Sequence, residues 1–186
     1  MKRIIAVLSV VLLFTGCGKS VKTLERVISL RNRLLQSGGC AFDAVVTADY
    51  GDKLYSFSLT CEADEMGNVA FKVTQPETIS GITGTVSEQG GKLTFDDQVL
   101  GFEMLADGQV TPVSAPWLFL KTLRGGYLNA SGVDGEYIKL SIDDSYEENP
   151  LHLDIWLDQT LNPVRGEILW QGRRIVSLEV SNFRFL

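Results

Sequence analysis

The stretch "CAFDAVVTADYGDKLYSFSLTC" (residues 40–61) alternates apolar and polar side chains on both sides of the turn-like residues "DYGD" (49–52). A period of two is typical of β-strands, and turn residues between two such runs predict an antiparallel hairpin. If all four turn residues form the loop, Cys40 faces Cys61 on the apolar side of the hairpin. We therefore predict a disulfide between Cys40 and Cys61.

A second register of this hairpin keeps the same apolar face. A two-residue turn at Gly51-Asp52 places Cys40 opposite Ala63 instead of Cys61. Because side chains alternate with a period of two, the hydrophobic pattern is the same in both registers, and only the two cysteines favour the first. Two buried free thiols are the alternative to the disulfide, since an unpaired cysteine behaves as a small apolar side chain.

The segment before the hairpin, "VKTLERVISLRNRLLQSGG" (21–39), has the period of an amphipathic helix. Gly38-Gly39 marks its end, as expected of a residue type that terminates helices. The predicted buried face consists of Leu24, Val27, Ile28, Leu34 and Leu35.

A second helix is predicted in the middle of the chain by "SAPWLFLKTLRGGYL" (114–128), with Ser114 as N-cap, Pro116 in the first turn and Gly125-Gly126 at the end. Most of the remaining sequence has strand character. The predicted strands are 40–48, 53–62, 68–75, 82–87, 91–96, 99–104, 136–143, 151–158, 164–171 and 174–184.

These elements predict one mainly β (α+β) domain, built as a curled antiparallel sheet or half-barrel with an N-terminal helix and a mid-chain lid helix. Such a sheet needs a cover for its concave face. The mid-chain helix is extremely apolar, and the space beneath it is either a packed core or a lipid-sized cavity. The residues expected to line that space are Trp117, Phe119, Leu120 and Leu123.

The N-terminal segment has the pattern of a bacterial signal peptide. Lys2 and Arg3 precede an apolar run from Ile4 to Phe14, which is well short of the roughly 20 residues that span a bilayer. The run ends in "FTGC", which resembles a lipobox, where a lipid is attached to the cysteine and the chain is cut before it. We therefore predict a signal peptide at 1–16 and a lipid at Cys17; a plain signal peptide is the alternative.

Lipidation of Cys17 places the domain outside the cytoplasm, anchored to a bacterial membrane. Two or more acyl chains give stable anchoring where one does not. Cys40 and Cys61 then remain as an even pair in an oxidising compartment. The predicted organisation is a lipidated tether at 17–21 followed by a single domain at 22–186.

Composition and charge exclude several classes of function. The formal net charge of −6 becomes −8 when residues 1–16 are removed, which disfavours nucleic-acid binding and polybasic membrane binding. His152 is the only histidine, and the sequence has no nucleophile elbow, P-loop or dinucleotide-binding glycine pattern. We expect no catalytic residues, no metal site and no cofactor, so the protein is predicted not to be an enzyme.

Three motifs and the order of elements resemble the LolA/LolB-like lipoprotein-carrier fold family. The motifs are "QPETISGITG" (75–84), "GGKLTF" (90–95) and "LDIWLDQTLNPVRGEILWQGRRIVSLEVSNFRF" (153–185). The resemblance implies a half-open antiparallel barrel with helices across its mouth. With its predicted lipid anchor and extra lid helix, this chain looks especially like the LolA-like lipoproteins of clostridial spore formers. One of these is a germination lipoprotein that partners a cortex amidase.

The resemblance also implies a function. We expect an envelope lipoprotein that binds a lipid or an acylated protein in an apolar cavity, as a carrier or receptor does. The alternative is a tethered scaffold that binds and regulates a cell-envelope enzyme, such as a cell-wall amidase in sporulation or germination. Arg124 is a candidate for the arginine that holds the lid of carriers closed; a solvated cation at a helix C-terminus is the other interpretation.

The lipid-attachment site leads to a direct prediction. Replacing Cys17 by alanine removes the only thiol that can carry the lipid in the predicted motif, so incorporation of radiolabelled palmitate should be abolished. Continued labelling of the Cys17→Ala protein would refute the assignment, and the Cys40→Ala protein serves as the control that keeps its label.

Overall fold

The computed structural model of the protein describes residues 17–94 and 104–186, with side chains for 23–89 and 104–186. The predicted signal peptide (1–16) and most of the predicted strand 99–104 lie outside the described residues. Every core residue lies between Val27 and Val180, so a chain that begins after Cys17 contains the whole described core.

The described residues form two α-helices and ten strands, and a short 3₁₀ helix (Pro112–Ser114) leads directly into the second α-helix. The predicted mid-chain helix ends at Gly125, before Tyr127 and Leu128 enter a strand. The elements are α1 Cys17–Gln36, β1 Gly39–Asp49, β2 Leu54–Asp64, β3 Val69–Gln75, β4 Thr83–Ser87, β5 Gly90–Thr94, α2 Ala115–Gly125, β6 Tyr127–Asp134, β7 Tyr137–Asp143, β8 His152–Leu157, β9 Pro163–Trp170 and β10 Arg173–Phe185.

The strands form one antiparallel sheet in the order β5-β4-β3-β2-β1-β10-β9-β8-β7-β6. The sheet is open, with β5 and β6 as its edges, and β1 pairs with β10 at the centre. The buried residues alternate along the inner strands, as in the Val69, Phe71 and Val73 of β3, so one face of the sheet is apolar. The predicted fold class, a mainly β half-barrel with two helices, is confirmed.

Helix α1 buries a narrower face than the sequence predicted. Val27, Leu30 and Leu34 are at most 4% exposed, and their spacing of three and four residues places them on one side of the helix. The predicted buried residues Leu24, Ile28 and Leu35 are 43%, 49% and 56% exposed, which corrects the prediction. These three residues form a second apolar stripe about a quarter turn away from the buried one.

Helix α2 lies against the concave side of β7 to β10 and fills the centre of the domain. Phe119 and Leu123 have no exposed surface, and Leu120 has 1%. The ring of Phe119 sits directly on β9 at Gly166, where an added Cβ would be 2.6 Å from its Cδ2 atom. The close approach of helix and sheet therefore depends on the missing side chain at Gly166.

The register of the first hairpin is the alternative one, and the predicted register is wrong. Cys40 lies opposite Ala63, and Cys61 lies opposite Phe42. The tight turn explains this difference, because Asp49 Oδ1 accepts a 2.7 Å hydrogen bond from the Gly51 amide. Local turn chemistry thus selects one of two registers that share the same apolar face.

The predicted Cys40–Cys61 disulfide is not formed in this structure. Both cysteines are buried free thiols on the same face of the hairpin. Residues that are diagonal neighbours across two strands lie about 7–8 Å apart, beyond the usual span of a disulfide. Burial raises the pKa of Cys40 to about 11 against an opposing effect of the Arg124 charge, and burial also raises the pKa of Cys61.

Strand β6 was missed by the sequence analysis. Its residues "YLNASGVD" show no apolar alternation, because β6 is an edge strand and its side chains are exposed or half-buried on both faces. Val133, for example, is 71% exposed. A strand that contributes little to the core has no hydrophobic period for the sequence to reveal.

A substitution at Gly166 tests the contact between α2 and the sheet. Gly166→Ala should lower the free energy of unfolding by about 1–3 kcal/mol, because the new methyl group overlaps the Phe119 ring. Gly132→Ala is the matched control, since an added Cβ at Gly132 meets nothing within 4 Å. Urea denaturation of both variants measures the difference, and equal stability of the two would contradict the described contact.

Candidate ligand groove

Of the four residues predicted to line a cavity, only Trp117 reaches the surface. Phe119, Leu120 and Leu123 belong to the packed core between α2 and the sheet. Trp117 lies on the opposite, outward side of α2 and is partly buried there. The structure therefore moves the candidate site from beneath the helix to its outer surface.

A depression of about 760 Å³ lies along the outer surface of α2. Its walls come from the end of α1, the turn between β2 and β3, the end of β4 and α2 itself. Three large apolar side chains contribute, of which Leu35 and Met66 are 56% and 78% exposed. The lining residues are Leu35, Asp64, Met66, Gly67, Asn68, Thr85, Ser87, Glu88, Gln89, Trp117, Lys121, Arg124 and Gly125.

A second depression, of about 570 Å³, continues from the first toward the start of β6. The two share Glu88, Lys121 and Gly125, and we call them together the α2 groove. Two tyrosines line the second part, and Tyr146 is 82% exposed. Its lining residues are Glu88, Lys121, Thr122, Gly125, Gly126, Tyr127, Asp144, Ser145, Tyr146 and Glu147.

Lys121 lies at the junction of the two depressions. Its Nζ atom is 3.6 Å from Glu88 Oε1 and 5.0 Å from the centre of the Trp117 ring. The Glu88 side chain is 85% exposed, so its attraction to Lys121 is strongly screened by water. The ion pair therefore contributes little stability and leaves Lys121 available to another anion.

Arg124 is held in place by the turn between β2 and β3. Its Nη2 atom donates a 2.8 Å hydrogen bond to the Glu65 carbonyl oxygen. Gly67, with φ +85°, makes room for the guanidinium group, because an added Cβ there would be 2.3 Å from Nη1. Among the described side chains, no carboxylate oxygen lies within 4.0 Å of the Arg124 nitrogens.

The two carboxylates that line the first depression of the groove differ in their hydrogen-bond and ion-pair partners. Asp64 Oδ1 and Oδ2 accept hydrogen bonds of 2.9 and 2.8 Å from the Asn68 backbone and side chain. Burial opposes ionisation of Asp64, but these and two further backbone hydrogen bonds hold its pKa below the ordinary value. Asp64 therefore stabilises its own turn, whereas the one ion-pair partner of Glu88 among the described side chains is Lys121.

The only histidine belongs to a polar cluster on the opposite, convex face of the sheet. His152 Nδ1 is 2.7 Å from Asp143 Oδ1, and its Nε2 is 3.4 Å from Asp154 Oδ1. The Ser141 hydroxyl donates a 2.6 Å hydrogen bond to Asp154, and Lys139 Nζ lies 2.8 Å from the other Asp154 oxygen. The hydroxyl hydrogen of Ser141 is thus directed at a carboxylate and not at the imidazole, so the cluster is a structural ion network.

The described residues hold neither a candidate metal cluster nor a helix that could cross a membrane. Within residues 17–94 and 104–186, no group of three or more His, Cys, Asp or Glu side chains is arranged to hold a metal ion. No helix of the described residues has the length and apolar character needed to cross a membrane. Cys17, the predicted lipid-attachment residue, is the first residue of α1, and the predicted tether 17–21 is part of that helix.

No protein-family model matches the sequence, and no curated relative matches it. Among solved structures, an uncharacterised conserved protein from Thermus thermophilus is similar over 88% of this chain and 88% of its own, with 11% identity and a TM-score of 0.45. A LolA superfamily protein from Nitrosomonas europaea is similar over 87% of this chain and 93% of its own, with 7% identity and a TM-score of 0.45.

A third solved structure is LprF from Mycobacterium bovis. It is similar over 88% of this chain and 93% of its own, with 13% identity and a TM-score of 0.41. The LolA superfamily, which the motifs at 75–95 and 153–185 resemble, is thus represented among the solved structures that are similar in fold to this chain.

The cluster around His152 predicts a pH-dependent stability. Burial opposes ionisation of Asp154, but hydrogen bonds from Lys139 and Ser141 and the nearby charges hold its pKa below the ordinary value. Ionised Asp154 therefore stabilises the fold above the unfolded-state pKa of about 4, and this contribution is lost as the pH falls through the lower folded-state pKa.

Asp154→Asn should accordingly lower the free energy of unfolding by about 1–3 kcal/mol at pH 7, because one charged hydrogen-bond acceptor is lost. The difference from the wild type should shrink as the pH falls below about 4. Chemical denaturation between neutral and acid pH measures this, with exposed Asp107→Asn as the control. A difference that stays constant with pH would contradict the assignment.

Proposed function

We propose that the protein is a membrane-anchored, extracytoplasmic lipoprotein that binds the acyl chain of a lipid or of an acylated protein, and that it is not an enzyme. The α2 groove is the observation on which this proposal depends. It combines the partly buried Trp117 ring with two exposed apolar side chains, Leu35 and Met66, in one concave surface. Large exposed apolar side chains grouped in a depression are typical of binding sites.

The size of the groove supports an acyl ligand. Its first depression, about 760 Å³, falls within the range of roughly 300–1,000 Å³ that small-molecule sites occupy. Met66 adds an unbranched and polarizable side chain that adapts to ligands of different shape. The ligand would lie on the surface of the domain, because the interior beneath α2 is filled by residues such as Phe119 and Leu123.

Helix α1 relates the groove to the predicted anchor. Cys17 begins α1, and Leu35 lies one residue before its end, at the wall of the groove. At 1.5 Å of rise per residue, the two positions are about 27 Å apart along the helix axis. In the proposed anchored protein, the helix would therefore be a rigid spacer between the lipid and the groove.

A second candidate function is a tethered scaffold that binds and regulates a cell-envelope enzyme. It is favoured by the filled interior under α2 and by the open edge of the sheet at β6. The uncharged residues of β6 from Tyr127 to Val133 are exposed or half-buried, and an edge strand of this kind can pair with a partner strand. The scaffold predicts no binding of acyl chains, so one experiment separates the two functions.

The experiment measures quenching of tryptophan fluorescence by a brominated fatty acid, in protein beginning after Cys17. Trp117 lines the groove, whereas Trp156, between Lys139 and Arg165, and Trp170, the last residue of β9, are absent from its lining. We expect saturable quenching that is lost in Trp117→Phe and kept in Trp170→Phe. Absence of quenching in the wild type, or equal quenching in both variants, would exclude acyl binding in the groove.

A second pair of variants tests the apolar wall in the same assay. Leu35→Glu places a charge where the acyl chain would lie, and should weaken binding by at least about tenfold, which corresponds to 1.4 kcal/mol. Leu54→Glu is the matched control, because Leu54 is 70% exposed and lies at the start of β2 outside the groove. Equal affinities of the two variants would contradict the proposed position of the ligand.

A further inference from the structure

Two cations and one aromatic ring form a single stripe on the outer side of α2. Trp117, Lys121 and Arg124 are spaced by four and three residues, which places them one above the other on one face of a helix. All three line the same depression. The groove therefore presents an apolar surface beside two positive charges, in a protein whose net charge is negative.

Lys121 and Arg124 form few hydrogen bonds and ion pairs with other described residues. Arg124 donates one hydrogen bond to a backbone carbonyl and has no described carboxylate within 4.0 Å. Among the described side chains, Lys121 is paired only with Glu88, which is 85% exposed and 3.6 Å away. A guanidinium fixed by a backbone contact keeps further N–H groups for an external anion, and its planar shape suits carboxylate and phosphate.

We propose that the α2 groove binds an anionic amphiphile, a single acyl chain that ends in a carboxylate or phosphate group. The head group binds Lys121 and Arg124, and the chain lies against Trp117, Leu35 and Met66. This inference rests on the proposed acyl-binding function and narrows its ligand. The inferred ligand is thus an anionic lipid and not the uncharged thioether-linked glyceride of an acylated protein.

The surroundings of the stripe make the head-group contact selective. Residues 17–186 contain fifteen basic and twenty-three acidic side chains, so the net charge of the chain after residue 16 disfavours anion binding away from local groups of cations. Four acidic residues line the groove, and Glu147 is one of them. Asp64 accepts hydrogen bonds from Asn68, Asp144 accepts one from the Leu151 amide, and Glu88 competes with the ligand for Lys121. Removing the Glu88 charge should therefore tighten binding, and removing either cation should weaken it.

The test compares ligands that share one chain length and differ in the head group. Dodecanoate, dodecyl phosphate and dodecanol would displace a fluorescent fatty-acid probe from protein beginning after Cys17. We expect the two anions to bind at least about tenfold more tightly than dodecanol, a difference that corresponds to 1.4 kcal/mol. This preference should decrease at high salt, because screening weakens the attraction between charges near the surface.

Variants that remove single charges test whether Lys121 and Arg124 cause the preference for anionic ligands. Arg124→Gln and Lys121→Gln should each lower the ratio of the affinity for dodecanoate to the affinity for dodecanol, and Glu88→Gln should increase that ratio. Lys121→Gln provides a test that does not depend on the turn packed around Arg124, because the described contacts of the Lys121 ammonium are with Glu88 and Trp117. Arg184→Gln is the control, since exposed Arg184 lines a separate depression.

The outcomes separate this inference from the function on which it rests. Equal affinity for dodecanol and dodecanoate overturns the head-group inference and leaves acyl binding intact. Failure of all three ligands to displace the probe, in protein that also shows no fluorescence quenching, overturns the proposed function. Equal affinity for inorganic phosphate and dodecyl phosphate at constant ionic strength identifies a free-phosphate site and overturns the amphiphile.

Discussion

The contact between helix α2 and the concave face of the open sheet is the constraint on which the rest of the structure depends. An antiparallel sheet with one apolar face must cover that face, and α2 does so with Phe119 packed against β9 at Gly166. Because this side of the helix is committed to the core, its opposite side remains at the surface. The position of the α2 groove follows directly from that division.

Helix α1 completes the cover and shapes one end of the groove. Val27, Leu30 and Leu34 bind it to the core, and Arg31 Nη2 donates a 2.9 Å hydrogen bond to the Gly126 carbonyl just after α2. Burial of Arg31 lowers the pKa of its guanidinium. The two helices are thus joined where α2 ends, and Leu35 is left at the wall of the groove.

The limits of sequence-based prediction have physical causes that differ from element to element. The hairpin from 40 to 61 was predicted with the correct faces and the wrong register, because a shift of two residues leaves the hydrophobic pattern unchanged. Strand β6 was missed because an exposed edge strand has no apolar period. Leu24, Ile28 and Leu35 were predicted to be buried but are exposed. The prediction was wrong because helical spacing shows which side of a helix is apolar and not how much of that side the domain covers.

The sequence by itself determined the fold class, the two helices and nearly all the described strands, because these depend on local periodicity and residue type. Only the tertiary structure decided where the candidate site lies. Leu35, Met66 and Arg124 come from three separate segments, and they meet because the sheet curls around α2. Convergence of this kind depends on long-range packing, which no local sequence pattern encodes.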